Sequence, residues 1–341
     1  MTLMKRFTVL ALLLAVATFA AVQGQVLLNA AGATFPYPIY SKWFDQYHAA
    51  HANVQINYQS IGSGGGIRQL LDKTVDFGAS DGPMSDDQLK QASVPILHFP
   101  TVLGAAIPSY NLPGAQSDLN FTPEALSGIF LGKVTKWNDP AITSANPGVK
   151  LPSDDIVVVH RSDGSGTTYI WTDYLSKVSP EWQQKAGKGT SVNWPVGLGG
   201  KGNEGVSALI QQTPGSLGYV ELIYAIQNHL PYGKVKNAAG TFVKADLASV
   251  SAAASAAAKE MPDDFRVSIT NPLGNKAAYP ISSFTWLLIP SKFSDTAKRD
   301  VVKDFLKWML GEGQQSCEAL SYAKLPKEVV AKEVKAIEKI Q

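Results

Sequence analysis

The sequence predicts an α/β protein built of two lobes, and three observations support this fold class. Short apolar segments alternate with amphipathic ones along the chain, which is typical of mainly parallel sheets flanked by helices. The chain has 341 residues, which is too many for one compact core. No flexible linker divides the sequence, so we expect two lobes joined by ordered crossings of the chain, with a cleft between them.

The composition excludes several other classes of protein. Hydrophobic residues make up 45% of the chain and include 7 Trp, 12 Tyr and 13 Phe, so the chain has enough apolar surface to fold. Cys317 is the only cysteine, which rules out an internal disulfide and a zinc site made of four cysteines. We expect Cys317 to be a buried thiol.

The N-terminus has the pattern of a secretory signal peptide over residues 1–24. Lys5 and Arg6 precede an apolar run over residues 7–21, and small residues follow it. A membrane anchor is the alternative, but the run is shorter than the roughly 20 residues that span a bilayer. No cysteine lies near the expected cut, which excludes lipid attachment there. We therefore expect an exported mature chain.

The mature chain is formally neutral. Without the leader it contains 28 basic and 28 acidic residues. No overall field favours nucleic acid or an anionic membrane, so we expect neither as a partner. An anionic ligand would need a local site made of backbone NH groups, helix starts and individual arginines.

The first predicted unit is a strand, a helix and a second strand. Residues 54–58 form the first strand, and the glycine cluster after them opens a helix through Ile67 and Leu70. Residues 76–80 form the next strand. Because successive strands joined by a helix pair in parallel, this unit predicts a parallel sheet.

The other elements follow from the same periodicities and from helix-start signals such as Thr122 before Pro123. Helices are predicted over residues 38–51, 85–91, 123–130, 169–178, 203–212, 247–258, 294–310 and 326–340, and from Glu221 onward. Extended segments or strands are predicted over residues 96–110, 156–159, 217–220 and 281–289.

Two apolar stretches are the expected crossings between the lobes, at residues 99–104 and 279–284. They place residues 25–103 together with 276–341 in lobe I, and residues 104–275 in lobe II. The N- and C-terminal parts of the chain therefore share one lobe.

Four turns of small residues share a composition suited to anion binding. Each lies beside an apolar strand and leads toward a helix, where the first backbone NH groups have no partner. Hydroxyl groups add further donors for a tetrahedral oxyanion. The turns are residues 33–36, 61–66, 78–81 and 160–168, and the hydroxyls belong to Thr34, Ser63, Ser165 and Thr167. Any one turn alone could be an ordinary helix cap.

Arg161 and Asp163 add a charged pair to this set. Arg161 follows the apolar strand 156–159 directly, so we expect it at the end of the sheet, where a guanidinium can hold an oxyanion through two hydrogen bonds. Asp163 could fix the plane of that guanidinium. A surface ion pair of little energetic value is the alternative.

Several longer segments resemble the periplasmic phosphate-binding proteins of Pst-type phosphate ABC transporters. The resemblance covers essentially the whole mature chain in order and spacing. The segments are Ala-Gly-Ala-Thr-Phe-Pro (31–36), Ile-Gly-Ser-Gly-Gly-Gly (61–66), Thr-Val-Asp-Phe-Gly-Ala-Ser-Asp (74–81), Leu-Gly-Lys-x-x-Lys-Trp (131–137), Arg-Ser-Asp-Gly-Ser-Gly-Thr (161–167) and Pro-Val-Gly-Leu-Gly-Gly-Lys-Gly-Asn (195–203). It implies the type II periplasmic binding protein fold, with two α/β lobes that close on one dehydrated phosphate.

The resemblance also implies a ligand set and a context. It makes Asp163 the residue that holds Arg161 and gives no role to His160. The implied phosphate ligands are Thr34, the NH of Phe35, Ser63, Asp81, Arg161, Ser165, the NH of Gly166 and Thr167. The implied protein is a periplasmic monomer that is not an enzyme, uses no cofactor or metal, and delivers inorganic phosphate to membrane subunits of an ABC transporter.

A carboxylate in an anion site has a physical explanation. Phosphate near neutral pH still carries a proton, and the carboxylate of Asp81 can accept a hydrogen bond from it. Sulfate has no proton to give, so its oxygens would be repelled by Asp81, at a cost of several kcal/mol. Asp81 is then the specificity element, whereas a helix cap before Gly82 is the alternative.

Other functions remain as alternatives. An exported phosphatase would need an activated nucleophile, but the elbow pattern around Ser165 fails at Thr167. A sulfate or molybdate binder, or an adhesin-like protein, would lack the role assigned to Asp81. His48 and His51 have helical spacing without a third metal ligand, and the glycine-rich residues 197–202 are expected to form a tight loop.

Overall fold

The computed structural model describes residues 24–114, 118–259 and 261–341. The predicted signal peptide, apart from Gly24, lies outside the described residues. Across these three ranges, no helix combines the length and the apolar character that a membrane span requires.

The strands and helices alternate along most of the chain, as the sequence predicts. The strands are β1 (Val26–Gly32), β2 (Val54–Ser60), β3 (Phe77–Ser80), β4 (Ile96–Asn111), β5 (Asn120–Phe121), β6 (Val157–Arg161), β7 (Leu198–Gly200), β8 (Ser216–Glu221), β9 (Lys234–Lys236), β10 (Phe242–Val243) and β11 (Ser282–Pro290). The helices are α1 (Tyr37–Ala50), α2 (Ser63–Leu71), α3 (Asp86–Leu89), α4 (Pro123–Phe130), α5 (Pro140–Thr143), α6 (Gly166–Val178), α7 (Pro180–Lys185), α8 (Gly202–Gln212), α9 (Leu222–Gln227), α10 (Leu247–Lys259), α11 (Thr296–Leu310) and α12 (Lys327–Ile337).

Eight strands form one mixed sheet in the order β2-β1-β3-β11-β4-β8-β6-β7. The three strands at each end are parallel to one another, while β11 and β4 in the centre run antiparallel to their neighbours. The prediction of mainly parallel sheets therefore holds for the outer strands but not for the centre. The antiparallel pairings are those of β11 with β3 and β4, and of β4 with β8.

The long strand β4 joins the two halves of the sheet. Residues 96–105 pair with β11, and residues 106–111 pair with β8. Thirteen of its sixteen residues are buried, which is typical of a strand covered on both faces. The predicted crossing at residues 99–104 lies within this strand, and the proposed division into lobes at 103 and 276 stays a prediction.

Local signals in the sequence fix several helix starts. Thr122 accepts a hydrogen bond from the NH of Ala125 (3.1 Å), and α4 begins at Pro123 as predicted. Ser85 and Gln88 form a capping box at α3. These caps satisfy NH groups that otherwise have no partner in the first turn.

The structure corrects the sequence analysis at three places. No predicted strand corresponds to β1, although β1 lies between β2 and β3. The small sheet β10-β9-β5 is also unpredicted, because its strands are only two or three residues long. The expected tight loop at 197–202 is wrong: β7 pairs in parallel with β6, and α8 begins at Gly202. The strand β7 forms because it pairs with β6, and a sequence pattern does not show this pairing.

Helix α2 packs against β1 through a glycine. A Cβ atom at Gly66 would overlap the Cα of Gly32 and the carbonyl oxygen of Ala31. These are backbone atoms, so the conflict could be relieved only by moving the helix away from the strand. Because α2 begins at Ser63, this contact also positions a predicted site residue.

We predict that Gly66→Ala destabilises the protein by about 1–3 kcal/mol, the usual cost of overpacking. The control is Gly65→Ala on the same helix, where the new methyl would meet only the flexible end of the Ile61 side chain. Alanine also favours the helix over glycine, so Gly65→Ala should cost little. Urea unfolding of both variants checks this, and equal losses would contradict the packing account.

Candidate functional site

The four predicted turns meet at one end of the sheet. Thr34 and Phe35 follow β1, Ser63 begins α2, Asp81 follows β3, Arg161 ends β6, and Ser165, Gly166 and Thr167 surround the start of α6. All eight residues are buried, and none of the seven that carry a side chain exposes more than 3% of its surface. The structure thus brings together every predicted site residue, while their role as ligands stays a prediction.

Asp81 lies at the centre of these contacts. Its Oδ1 accepts a hydrogen bond from Oγ1 of Thr285 (2.8 Å), and its backbone NH donates to Oγ of Ser63 (3.2 Å). Its Oδ2 is buried and has no hydrogen-bond partner among the residues that the structure describes. The alternative role as a helix cap is wrong, because α3 begins five residues later and is capped by Ser85.

The start of α6 approaches Asp81 closely because Gly166 has no side chain. A Cβ atom at Gly166 would overlap Oδ2 of Asp81 and Oγ of Ser63. Ser165 caps the helix by accepting a hydrogen bond from the NH of Thr168 (3.0 Å). The free oxygen of Asp81 therefore lies beside the NH groups of the first helical turn, which have no partner within the helix.

Arg161 is held in a fixed plane by Asp163. Its Nε and Nη2 donate to the two carboxylate oxygens at 2.8 and 2.6 Å, and Nη1 lies 3.4 Å from Oγ1 of Thr167. The side chains of Arg161 and Asp163 are only 1% and 13% exposed, so the alternative of a surface ion pair is wrong. The guanidinium edge that does not face Asp163 remains available for other acceptors.

The two carboxylates of the site are shifted in opposite directions. Burial raises the pKa of Asp81 to about 7, although the hydrogen bond from Thr285, the charge of Arg161 and the nearby hydroxyl of Ser63 act against this. Burial would also raise the pKa of Asp163, but the hydrogen bonds and charge of Arg161 outweigh it and lower that pKa. Asp163 is therefore the ionised partner of Arg161, and Asp81 titrates near neutral pH.

The sequence analysis gave no role to three residues that hold the turn after β1. Tyr224 and Tyr322 donate hydrogen bonds to the carbonyl oxygens of Thr34 (2.6 Å) and Phe35 (2.5 Å), respectively. Since the Thr34 carbonyl and the Phe35 NH belong to one planar peptide unit, Tyr224 fixes the direction of that NH. Asn203 contacts the hydroxyl of Thr34. The only sequence signal for Asn203 is its place in the segment 195–203, which resembles the family but assigns no role to any single residue.

His160 packs away from the acidic centre. Its ring stacks on Trp194, with centroids 4.7 Å apart and an interplanar angle of 13°. Its Nδ1 lies 3.0 Å from the carbonyl oxygen of Arg161. These contacts give His160 a structural role, because they support the chain segment that leads into β7.

Two other predictions from the sequence concern residues outside this site. Cys317 is a buried free thiol, as predicted, and burial raises its pKa to about 12. His51 stacks on Tyr47, while His48 contacts the carbonyl oxygen of Val54. Within residues 24–114, 118–259 and 261–341, no group of three His, Cys, Asp or Glu residues is arranged to hold a metal ion.

Comparison with known proteins places the chain in a family. A family model described as a PBP superfamily domain matches residues 15–312. The phosphate-binding protein PstS of Xylella fastidiosa is 49% identical over 306 residues, or 89% of this chain and 83% of that protein. The phosphate-binding protein PstS of Pasteurella multocida is 45% identical over 329 residues, or 96% of this chain and 94% of that protein.

The chain belongs to the PBP superfamily and, within it, to the PstS family. This confirms the resemblance found in the sequence. A solved structure of a phosphate binding protein from Stenotrophomonas maltophilia covers 91% of this chain and 93% of its own, with a TM-score of 0.69 and 19% identity. The predicted fold, the α/β type II periplasmic binding protein fold, is likewise confirmed.

The raised pKa of Asp81 predicts how its replacement changes stability with pH. The folded protein binds this proton more tightly than the unfolded chain does, so Asp81 favours folding below about pH 4 and loses that contribution as pH rises through about 7. We therefore expect Asp81→Asn to raise the melting temperature, relative to the original protein, more at pH 8 than at pH 5.

The control for this prediction is Asp163→Asn. The lowered pKa of Asp163 means that its contribution is present above the pKa of the unfolded chain and is lost only in acid. Its replacement should therefore reduce the melting temperature more at pH 8 than at pH 3. Calorimetric melting curves of both variants check the direction of each change in melting temperature. The same pH trend in both variants would show that the pKa values of the two carboxylates are not shifted in opposite directions.

Proposed function

We propose that this chain is a periplasmic solute-binding protein that captures inorganic phosphate in a cleft between two lobes and delivers it to the membrane subunits of a phosphate ABC importer. The family assignment supports this, since the similar proteins are named phosphate-binding proteins. The observation that carries the proposal is the buried oxygen Oδ2 of Asp81. It is a buried acceptor without a partner among the described residues, and the other proposed ligands can all donate hydrogen bonds.

The proposed ligand set has the chemistry that a tetrahedral oxyanion needs. Two helices, α2 and α6, begin at the pocket and direct their NH groups and positive dipole ends toward it. Hydroxyls and one guanidinium supply further donors. The proposed phosphate ligands are Thr34, the NH of Phe35, Ser63, Asp81, Arg161, Ser165, the NH of Gly166 and Thr167.

Affinity in this site comes from hydrogen bonds more than from net charge. The charge of Arg161 is already balanced by Asp163, at 2.6 to 2.8 Å. Phosphate would therefore enter a site in which neutral dipoles spread its charge. Within each proposed lobe the fold holds these donors in place, so they lose little conformational freedom when the ligand arrives.

Selectivity follows from Asp81. Phosphate can donate its remaining hydrogen to Oδ2, which turns a buried acceptor without a partner into a satisfied one. Sulfate would place an unprotonated oxygen against the same carboxylate, at a cost of several kcal/mol, which corresponds to hundreds- to thousandfold in affinity. Asp81 thus excludes the wrong anion, while the donors bind the right one.

Closure of the proposed lobes would depend on groups from both sides of the pocket. The NH of Gly64 donates to the carbonyl oxygen of Gly164 (2.8 Å), which links the first turn of α2 with the turn before α6. In the proposed division, the first glycine belongs to lobe I and the second to lobe II. Phosphate held by both turns would favour the closed arrangement, and we propose that the importer recognises that arrangement.

The direct test is calorimetric titration of the purified protein with phosphate and with sulfate. We expect phosphate to bind at least about a hundredfold more tightly. Asp81→Asn should reduce the difference between the phosphate and sulfate affinities, because an amide can donate a hydrogen bond to sulfate. The control Arg161→Gln should weaken both anions on the order of 10- to 100-fold, since a charged donor is lost. Equal binding of both anions by the original protein, or release of phosphate from a phosphomonoester, would contradict the proposal.

The pH dependence of selectivity provides a second prediction. Because the pKa of Asp81 is about 7, its carboxyl is protonated at pH 5 and can then donate to sulfate. We therefore expect the ratio of phosphate affinity to sulfate affinity to fall between pH 8 and pH 5. In Asp81→Asn the ratio should be less dependent on pH. A ratio that stays constant in the original protein would show that Asp81 does not select the anion.

A further inference from the structure

We infer that Asn203 is a positioning residue that forces the hydroxyls of Thr34 and Thr167 to act as hydrogen-bond donors toward the anion. The inference rests on the proposed function, because it concerns the same pocket. Asn203 is fully buried in the first turn of α8, and the ligand set implied by the resemblance does not include it.

Asn203 contacts both hydroxyls at once. Its Nδ2 lies 2.8 Å from Oγ1 of Thr34 and 3.1 Å from Oγ1 of Thr167. Its backbone NH donates to Oγ1 of Thr34 as well, at 3.2 Å. These contacts cross the pocket, since Thr34 follows β1 and Thr167 lies in the first turn of α6.

The orientation of the Asn203 amide is determined by its other end. Its Oδ1 accepts a hydrogen bond from the backbone NH of Glu221 at 2.9 Å. A backbone NH can only donate, so the atom that faces it must be the amide oxygen. The NH2 group therefore points to the two threonines, and a rotated amide would place two donors against each other.

This arrangement limits what each hydroxyl can do. A hydroxyl has one hydrogen and can accept about two hydrogen bonds. Oγ1 of Thr34 already accepts two from Asn203, and Oγ1 of Thr167 accepts one from Asn203 with Nη1 of Arg161 at 3.4 Å. The hydrogen of each hydroxyl must then point elsewhere, and an anion in the pocket is an acceptor for it.

The consequence for binding is that, in the closed arrangement, both hydroxyls present their hydrogens to the anion. A hydroxyl that could rotate freely would present a lone pair to the anion part of the time. Fixing both hydrogens through Asn203 removes this unfavourable orientation, which is the general effect of preorganisation. In the proposed division, Thr34 belongs to lobe I, whereas Asn203 and Thr167 belong to lobe II. Asn203 would thus align donors of both lobes.

A double-mutant cycle tests the inference, with Kd for inorganic phosphate measured by calorimetry. We expect Asn203→Ala to weaken binding on the order of 10-fold or more in the original protein. In a variant that carries both Thr34→Val and Thr167→Val, the same replacement should change Kd by less than about threefold, because no hydroxyls are left to orient. A residue with a purely structural role would weaken both backgrounds equally.

Two further variants keep the test decisive. Asn203→Asp has the same size but replaces the amide nitrogen with an acceptor, so both hydroxyls would turn toward it, and binding should be weaker than in Asn203→Ala. The control is Asn237→Ala, since Asn237 is also a buried asparagine but donates to backbone carbonyls of residues 275, 276 and 278. It should leave Kd unchanged. Urea unfolding of each variant identifies losses caused by misfolding.

The outcomes separate the inference from the proposed function. If the original protein does not bind phosphate, the proposed function is wrong. If it binds phosphate but Asn203→Ala leaves Kd unchanged, or weakens binding equally in both threonine backgrounds, the proposed function stands and the role of Asn203 is wrong.

Discussion

The buried carboxylate of Asp81 is the constraint on which the rest of the site depends. Thr285 and Ser63 satisfy one oxygen and the backbone NH, but Oδ2 has no partner in the described part of the chain. A buried acceptor of this kind costs free energy and raises the pKa of the group. In the proposed function, an anion that still carries a hydrogen would remove this cost when it binds, and an anion without a hydrogen would increase it.

The two carboxylates of the site, Asp163 and Asp81, have different surroundings and different roles. Asp163 is ionised because Arg161 donates two hydrogen bonds to it, and this pair holds the guanidinium in place. Asp81 is not paired in this way. The mixed sheet makes the arrangement possible, because strands β1 and β3 lie on one side of the antiparallel centre and β6 on the other, and the turns after all three meet. The fold thus brings the four turns together at one buried site.

Local patterns predicted the elements well, because the caps at Thr122 and Ser85 depend only on neighbours in the sequence. Motif resemblance predicted the site residues, and the structure brings them together. The features that the sequence did not predict depend on contacts between segments that are distant along the chain. The strand β7 forms by pairing with β6, and the antiparallel centre includes the pairing of β4 with β11, which is distant in the sequence. The role of Asn203 depends on Glu221, 18 residues away, and on Thr34, 169 residues away.

The most direct measurement is a neutron crystal structure of the protein with inorganic phosphate, since neutrons locate hydrogen atoms. Our account predicts a phosphate oxygen at about 2.5–2.7 Å from Oδ2 of Asp81, with one hydrogen between them. The hydrogens of the surrounding hydroxyls should point to the other phosphate oxygens. A phosphate bound without a hydrogen bond to Asp81, or bound elsewhere on the protein, would contradict the central claim.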